Sequence, residues 1–209
     1  MARVELHEVL RRRRMVRRYD AGRPVEPEAL QRVLAAALRA PSAGASAGRD
    51  LLVLRTPAQR ELFWAETTRD RPGPADAWLT GMRAAPVLVL CLADPGAYAA
   101  RYAEKDKPGP DRDAASWDTP WWDVDTGMAA LLLLLAAVDE GLGACLFGVP
   151  AAAHDGLRAA FGVPAGRRFV AAVSLGHRAP DEASRPSRTV RRTLADVAHD
   201  GRFGEPWDG

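Results

Sequence analysis

Hydrophobic residues recur at helical spacing over the first forty positions of the chain. Leu6, Val9 and Leu10 lie on one helical face and predict a first helix near the amino end. A second helix should lie between Pro27, which suits a first helical turn, and Pro41, which marks its end. Its apolar positions follow the i, i+3, i+4, i+7, i+8 pattern: Leu30, Val33, Leu34, Ala37 and Leu38.

Four short apolar runs predict β-strands, at residues 51–55, 86–93, 144–149 and 168–176. The run at 86–93 lacks polar alternation, so both faces of that strand should be buried. Helices and strands interleave along the chain. A sheet covered by helices is therefore expected, in the α/β or the α+β class.

Further helices are predicted between and after these strands. Residues 56–59 have capping-box spacing, with Pro57 at the first helical position, so a helix should follow. A long helix is expected over 122–140, and Gly141 should end it. Two more are predicted, at 150–161 and, as a short last helix, at 193–200.

The polar segment at 104–120 is interrupted by proline and glycine and is predicted to be a mobile loop or lid. Three tryptophans stand within it or just after it: Trp117, Trp121 and Trp122. No internal repeat occurs in the sequence. Residues 1–209 are therefore expected to form one domain that carries this lid.

Composition narrows the class of protein. The formal net charge is only +2, less than a dedicated nucleic-acid binder usually carries. Cys91 and Cys145 both lie in apolar segments, which favours a reducing cytoplasm over a secreted disulfide scaffold. The four histidines show no metal-ligand spacing, so no metal site is expected. The longest apolar run, 128–138, falls short of the roughly 18–20 residues of a membrane helix, and no signal-peptide stretch opens the chain.

Six of the ten residues at 11–20 are arginine. If the first helix extends that far, Arg13 and Arg17 continue its apolar face, where a guanidinium requires an anionic partner. A phosphate would satisfy both, because guanidinium groups hold phosphate oxygens in bidentate pairs. The alternatives are a solvated basic helix, a helix paired with carboxylates elsewhere, and a nucleic-acid arm. Three others are expected to face solvent: Arg11, Arg12 and Arg18.

Two stretches are rich in glycine and small residues. Residues 40–50 would let a flat ligand approach the backbone closely, and Ser42 and Ser46 could donate hydrogen bonds, although a plain flexible loop has the same composition. Residues 141–148 resemble a dinucleotide fingerprint but place Leu146 at its third glycine and follow a helix. A dinucleotide-binding Rossmann site is therefore disfavoured.

Taken in order, these segments resemble the FMN-dependent nitroreductase family. The matching segments are 13–17, 24–25, 40–44, 125–150 and 174–180. The resemblance implies an α+β, nitroreductase-like fold, with a central mixed, mainly antiparallel sheet flanked by helices. It also implies an intertwined homodimer with the flavin at the subunit interface.

The same resemblance assigns a phosphate clamp. It implies that Arg13, Arg14 and Arg17 bind the FMN phosphate and ribityl chain, with Met15 at the position of a family serine. A basic residue near the carboxyl end joins them in the family, and Arg191 matches it best. Two neighbours are alternatives for that role: Arg188 and Arg192.

Two further segments should line the flavin. The resemblance places Pro41, Ser42 and Gly44 beside the ribityl chain and the ring system. It also implies that a backbone amide faces the reactive nitrogen of the ring and stabilises charge on it. The segment with that amide comprises Leu146, Phe147 and Gly148.

Several family side chains are missing. Ala45 and Ala47 replace an asparagine and a glutamine, and residues 48–49 replace a Pro-Trp pair. The amides normally bond the flavin, and each lost hydrogen bond is worth about 1 kcal/mol. Weaker flavin binding, substitution by water or backbone, and a site that binds something else are all consistent with these replacements.

The resemblance implies a cytoplasmic FMN-dependent oxidoreductase. Hydride or electrons would pass from NAD(P)H through FMN to a small flat organic substrate, with no catalytic side chain assigned. The three tryptophans either cover the substrate or belong to the core. A flavin-dependent dehydrogenase or oxidase in natural-product biosynthesis is an alternative, as is a flavin-free ligand-binding relative. Neither nucleic acid nor membrane is expected as a partner.

Overall fold

The computed structural model describes residues 5–71, 73–107, 117–180 and 192–207. Its sheet has four strands in the order β1-β2-β4-β3, and every neighbouring pair is antiparallel. The strands are β1 (Arg49–Leu54), β2 (Val87–Ala93), β3 (Gly143–Phe147) and β4 (Arg168–Gly176). The α-helices in the described residues are α1 (Leu6–Arg12), α2 (Pro27–Ala37), α3 (Pro57–Thr67), α4 (Ala77–Arg83), α5 (Pro95–Tyr102), α6 (Trp121–Asp139) and α7 (His154–Phe161).

The sheet separates two apolar cores. Strand β2 is buried on both faces along its whole length, as its unbroken apolar run predicts. On one face, Phe63 and Trp64 of α3 pack with Leu157 of α7. On the other face, Val33 of α2 packs with Leu133 of α6. This arrangement confirms the predicted α+β class with a helix-covered, mainly antiparallel sheet.

Helix α6 is the centre of the second core. Ala129, Ala130, Leu133 and Ala137 are fully buried where the helix packs against α2 and the sheet. Among the described residues, α6 is the one helix that is long and apolar enough to cross a membrane. Its buried face packs within the protein, as that of a core helix does.

The first predicted helix is confirmed as α1 but does not extend as far as Arg13 and Arg17, and the last predicted helix was wrong. The first helix ends at Arg12, and Arg13 is already extended, with φ −53° and ψ 126°. The helix stops because Val16 donates its backbone N–H to the Ala144 oxygen of β3, 2.9 Å away. The short helix expected at 193–200 is a series of turns. There the Asp196 carboxylate accepts hydrogen bonds from the backbone and the hydroxyl of Thr193, which compete with a helical ladder.

Helices α4 and α5 were not predicted. The Asp76 side chain caps α4 by accepting a 2.8 Å bond from the Leu79 N–H. In α5, Asp94 accepts a 3.0 Å bond from the Gly96 N–H, and Pro95 occupies the first turn. Residues 104–107 and 117–120 of the predicted lid have no regular secondary structure, and residues 108–116 lie outside the described residues.

Candidate functional site

An extended segment follows α1 and runs beside the sheet. Met15 forms a parallel bridge with Ala144 of β3. Further along, Asp20 donates its backbone N–H to the His177 oxygen, 2.9 Å away. Side chains alternate along an extended chain, so Arg13 and Arg17 lie on the side opposite to Val16, which is buried in the core. The helical face that was expected to join the two arginines does not form, because α1 ends before Arg13 and Arg17 is exposed. Their joint role at a phosphate stays a prediction.

The arginines of this segment differ in their partners. Arg13 is half-buried, and its buried Nη1 has no hydrogen-bond partner among the described residues. Arg14 is exposed and donates through Nη1 to the backbone oxygens of Arg11 and Arg13, at 2.7 and 2.8 Å. Arg17 is exposed. A buried guanidinium nitrogen without a partner suits an anionic group, so the residue present fits a phosphate.

A cleft of about 400 Å³ lies next to this segment. It is lined by Arg12, Arg14, Val16, Val138, Gly141, Leu142, Gly143 and Arg178. The cleft is formed where α6 ends and β3 begins, and its lining contains no carboxylate. The sequence predicted only that Arg12 faces solvent, and it did not single out Arg178. The two residues come close together because β3 pairs with β4, which the sequence pattern does not reveal.

The loop at 40–49 has a strained backbone. Gly44, Ala45 and Ala47 have φ values of +63°, +57° and +51°, in the left-handed region. That region costs a non-glycine residue roughly 1–2 kcal/mol, and such residues cluster at ligand sites. The Ser42 hydroxyl accepts a 2.9 Å bond from the Ala47 N–H and so closes the loop on itself. Pro41 is exposed at the start of the loop.

Side chains from α5 and α6 fix this loop. The Asp125 carboxylate of α6, only 1% exposed, accepts a 2.7 Å hydrogen bond from the Ala43 N–H. The same oxygen, Oδ2, accepts a second 2.7 Å bond from the Tyr98 hydroxyl of α5. Burial raises the pKa of Tyr98, and the bond to the carboxylate raises it further. Arg101 donates through Nε to the Gly44 oxygen at 3.0 Å.

Arg49 stands where the family has tryptophan and fixes the end of the same loop. Its Nη2 donates to the backbone oxygens of Leu38 and Ala40, at 3.1 and 2.9 Å. Its Nε and Nη1 are buried and have no hydrogen-bond partner among the described residues. Arg49 therefore anchors the end of the loop and places a second cation with unsatisfied donors beside it.

Two of the three predicted tryptophans belong to one aromatic cluster. Trp117 and Trp122 stack with ring centroids 6.2 Å apart and planes 19° apart. Both rings meet Tyr98 edge-on, and Trp117 lies 4.6 Å from the Tyr102 ring. Trp121 is 43% exposed at the start of α6. The Nε1 of Trp122 is buried and has no partner among the described residues.

The third predicted segment, residues 146–148, lies at the end of β3. Phe147 stacks on Trp64, with centroids 5.7 Å apart and planes 10° apart. Leu146 packs against the core on the α6 side. Gly148 follows the strand, is exposed, and has open space on its Cβ side. A flat ligand can therefore reach the backbone at this position.

The structure joins the predicted residues into two groups. The first group lies along β3, where Met15 bridges to Ala144 and Gly148 follows the last residue of the strand. The second group is the loop that contains Ser42, which Asp125 of α6 holds through the Ala43 N–H. Arg191 and Arg188 lie outside the described residues. Arg192 is exposed and donates to the backbone oxygen of Asp196. Within the described part of the chain, no group of three or more His, Cys, Asp or Glu residues could hold a metal ion.

Comparison with known families identifies the chain. Residues 10–177 match the model of the Nitroreductase family. The chain belongs to the nitroreductase family. The match contains the arginine segment, the strained loop, α6 and all four strands.

Solved structures of other nitroreductases share this fold. A proposed nitroreductase from Desulfovibrio desulfuricans, in complex with FMN, is 23% identical with a TM-score of 0.69, covering 97% of this chain and 99% of that one. An FMN-dependent nitroreductase from Clostridium difficile is 21% identical with a TM-score of 0.67, covering 93% and 98%. A proposed NAD(P)H:FMN oxidoreductase from Staphylococcus epidermidis is 17% identical with a TM-score of 0.70, covering 95% and 97%. At these identities, the likeness establishes the fold.

Proposed function

We propose that this nitroreductase-family protein is an FMN-dependent oxidoreductase that transfers hydride or electrons from NAD(P)H to a small flat organic substrate. The observation that carries the proposal is the guanidinium of Arg13. Its Nη1 is buried without a partner among the described residues, in the segment that resembles the phosphate clamp of the family. An anionic cofactor group would satisfy this donor.

In this proposal, Arg13 and Arg17 bind the phosphate and the ribityl chain of FMN, and Arg14 holds the end of α1 beside them. Arg191 would complete the clamp from the carboxyl-terminal region. Met15 replaces the family serine, so it contributes an apolar contact and no hydroxyl. The solved structures that share the fold include an FMN complex, an FMN-dependent nitroreductase and a proposed NAD(P)H:FMN oxidoreductase, which supports FMN and NAD(P)H as cofactors.

The ring of the flavin would lie between two backbone segments. Pro41, Ser42 and Gly44 would flank it from the loop, where the family amides are absent. At the end of β3, the exposed backbone around Gly148 is free to face it, and an amide N–H there would stabilise negative charge. When bound, FMN supplies the hydride and electron transfer.

The substrate would bind against the aromatic residues near the start of α6. Trp117 and Trp122 already stack as a flat pair, and Trp121 offers an exposed ring one residue away. Aromatic faces suit a planar organic molecule. This surface and the family resemblance support a small, flat, oxidised organic compound as the class of substrate.

The family's homodimer is part of the proposal. Exposed large apolar side chains lie on α1 and on α6, which pack against each other. They are Leu6, Leu10, Trp121, Val124 and Leu131. Exposed apolar surface of this kind is a feature of protein interfaces. Localisation in the cytoplasm remains a proposal from Cys91 and Cys145, which are both buried in apolar segments.

Flavin binding provides the direct test. We expect the purified protein to be yellow and to quench the fluorescence of added FMN. Arg13→Ala should weaken FMN binding about tenfold or more, because a hydrogen bond to a charged group is worth about 1.5–3 kcal/mol. The double variant Arg13→Ala/Arg17→Ala should lose flavin absorbance.

Arg11→Ala is the matched control, because Arg11 lies in the same tract but pairs with Glu8 at the surface. Its FMN affinity should equal that of the unchanged protein. A colourless protein that leaves FMN fluorescence unchanged would contradict the proposal. That result would favour a flavin-free ligand-binding relative, which the methyl side chains of Ala45 and Ala47 also suit.

A further inference from the structure

Asp125 is a buried carboxylate with no ion pair among the described residues. It is 1% exposed, and its recorded partners are the Ala43 N–H and the Tyr98 hydroxyl, both at 2.7 Å. Burying a charged carboxylate without a cationic partner is unfavourable unless its hydrogen bonds are well made. These two hydrogen bonds therefore compensate for the burial of the carboxylate.

Neither bond stabilises α6 itself. The Ala43 N–H belongs to the loop at 40–49, and Tyr98 belongs to α5. A carboxylate that only supported its own helix would bond within the first turn, as Asp76 does for α4. Asp125 instead joins three separate parts of the chain.

The loop requires such a contact. Gly44, Ala45 and Ala47 all have left-handed backbones, and such backbones persist only where the surroundings fix them. The bond from Ala43 enters the loop immediately before these residues. Tyr102 also closes on the loop, because a Cβ added to Gly44 would lie 2.6 Å from its ring.

Tyr98 extends the connection to the aromatic cluster. Its ring meets both Trp117 and Trp122 edge-on, at 6.4 and 6.2 Å between centroids. One carboxylate oxygen therefore fixes the loop expected to flank the flavin and the tyrosine that supports the tryptophan pair.

We propose that Asp125 is a positioning residue that fixes the loop at 40–49 and the Tyr98–Trp117–Trp122 cluster in one relative arrangement, through the two hydrogen bonds accepted by Oδ2. This proposal rests on the proposed flavin function for its consequence in catalysis. The loop arrangement itself does not depend on flavin, so the two can be tested separately.

The test removes the same hydrogen bond from both of its ends. Asp125→Ala deletes the acceptor. Ala43→Pro deletes the donor at a half-buried loop position, where Ser42 already has the extended backbone, φ −146° and ψ 143°, that precedes proline. Each variant should raise the Kd for FMN about five- to tenfold. The double variant should be no weaker than Asp125→Ala alone, because Ala43→Pro removes one of the two bonds that Asp125→Ala already removes.

Asp125→Asn is the conservative control. An amide oxygen in place of Oδ2 can still accept both bonds, so FMN affinity should stay within about twofold of the unchanged protein. Tyr98→Phe keeps the hydrogen bond from Ala43 to Asp125 but removes the bond that connects Tyr98, and with it the aromatic cluster, to Asp125. It should raise the KM for menadione, used as the electron acceptor, more than it raises the Kd for FMN.

Tryptophan fluorescence of the flavin-free protein separates this proposal from the flavin function. Asp125→Ala and Tyr98→Phe should shift the emission maximum without any FMN present, and Asp125→Asn should not. The proposal is overturned if Asp125→Asn loses as much affinity as Ala43→Pro, or if Ala43→Pro binds FMN normally. Because Ala43→Pro leaves the core unchanged, it decides the outcome even if Asp125→Ala does not fold. If the protein without substitutions does not bind FMN but its variants show the expected emission shifts, the flavin function is contradicted and the positioning role of Asp125 is not.

Discussion

Neighbouring arginines in this chain have different partners. Arg11 forms a surface ion pair with Glu8, Arg14 bonds two backbone oxygens at the end of α1, and Arg13 keeps a buried nitrogen without a partner in the described residues. The sequence could not separate these roles. They depend on where α1 ends, and a backbone oxygen of Ala144, far away along the chain, decides that.

Backbone strain at single residues makes a testable prediction. Ala45→Gly should stabilise the folded protein by up to about 1 kcal/mol, because glycine adopts φ +57° without the steric cost that alanine bears. The gain is limited because glycine also increases the entropy of the unfolded chain. Urea unfolding, followed by circular dichroism, measures the change.

The control is the same substitution in a regular helix. Ala36→Gly in α2 should destabilise the protein by about 0.5–1 kcal/mol. If Ala45→Gly destabilised the protein as much as Ala36→Gly does, the left-handed backbone of the loop would be contradicted.

The sequence contains a signal that sets Asp125 apart from the residues around it. A carboxylate within the apolar helix α6 must either reach solvent or find donors. Asp123 reaches the surface and pairs with Arg168, whereas Asp125 is buried. Its partners could not be predicted, because α5 was not recognised and the fold of the loop was unknown.

Helix α3 has the clearest local start signal among the elements. Thr56 and Gln59 form both bonds of the predicted capping box, at 3.2 and 3.0 Å. Thr56→Ala should therefore lower the free energy of unfolding by about 1 kcal/mol. Thr80→Ala, at an exposed position within α4, should change it by less than about 0.5 kcal/mol. Equal effects in chemical denaturation would contradict the role of the cap.

Elements with strong local signals were predicted best. The bounds of β4 were predicted without error, and those of β2 and α6 to within one residue. The short helices α4 and α5 were missed because seven or eight residues give too little periodicity, despite caps at Asp76 and Asp94. The carboxyl-terminal turns were mistaken for a helix because side-chain bonds to the backbone are invisible in an apolar pattern.

The proposed dimer sets a prediction for the whole molecule. Leu131 on α6 is 47% exposed within one chain, although it is large and apolar. Leu131→Glu should convert the dimer to monomers and weaken FMN binding, because a carboxylate without a partner is costly in an apolar interface. Sedimentation equilibrium with and without FMN measures both effects.

Leu62→Glu provides a control of equal chemistry. Leu62 is 39% exposed on α3, which packs on the other face of the sheet from α6. That variant should retain the mass and the FMN affinity of the unchanged protein. A monomeric unchanged protein, or a Leu131→Glu dimer, would contradict the predicted interface.

The bridge between Met15 and Ala144 has a practical consequence for truncated versions of the protein. The amino-terminal segment covers part of the outer side of β3, so removal of residues 5–17 would uncover backbone groups that can pair with another chain. Such a truncation would promote aggregation and reduce soluble yield. If a shortened protein lost its cofactor, the cause could be self-association as well as the missing guanidinium groups. Substitution of single arginines therefore tests the role of those groups more directly than truncation does.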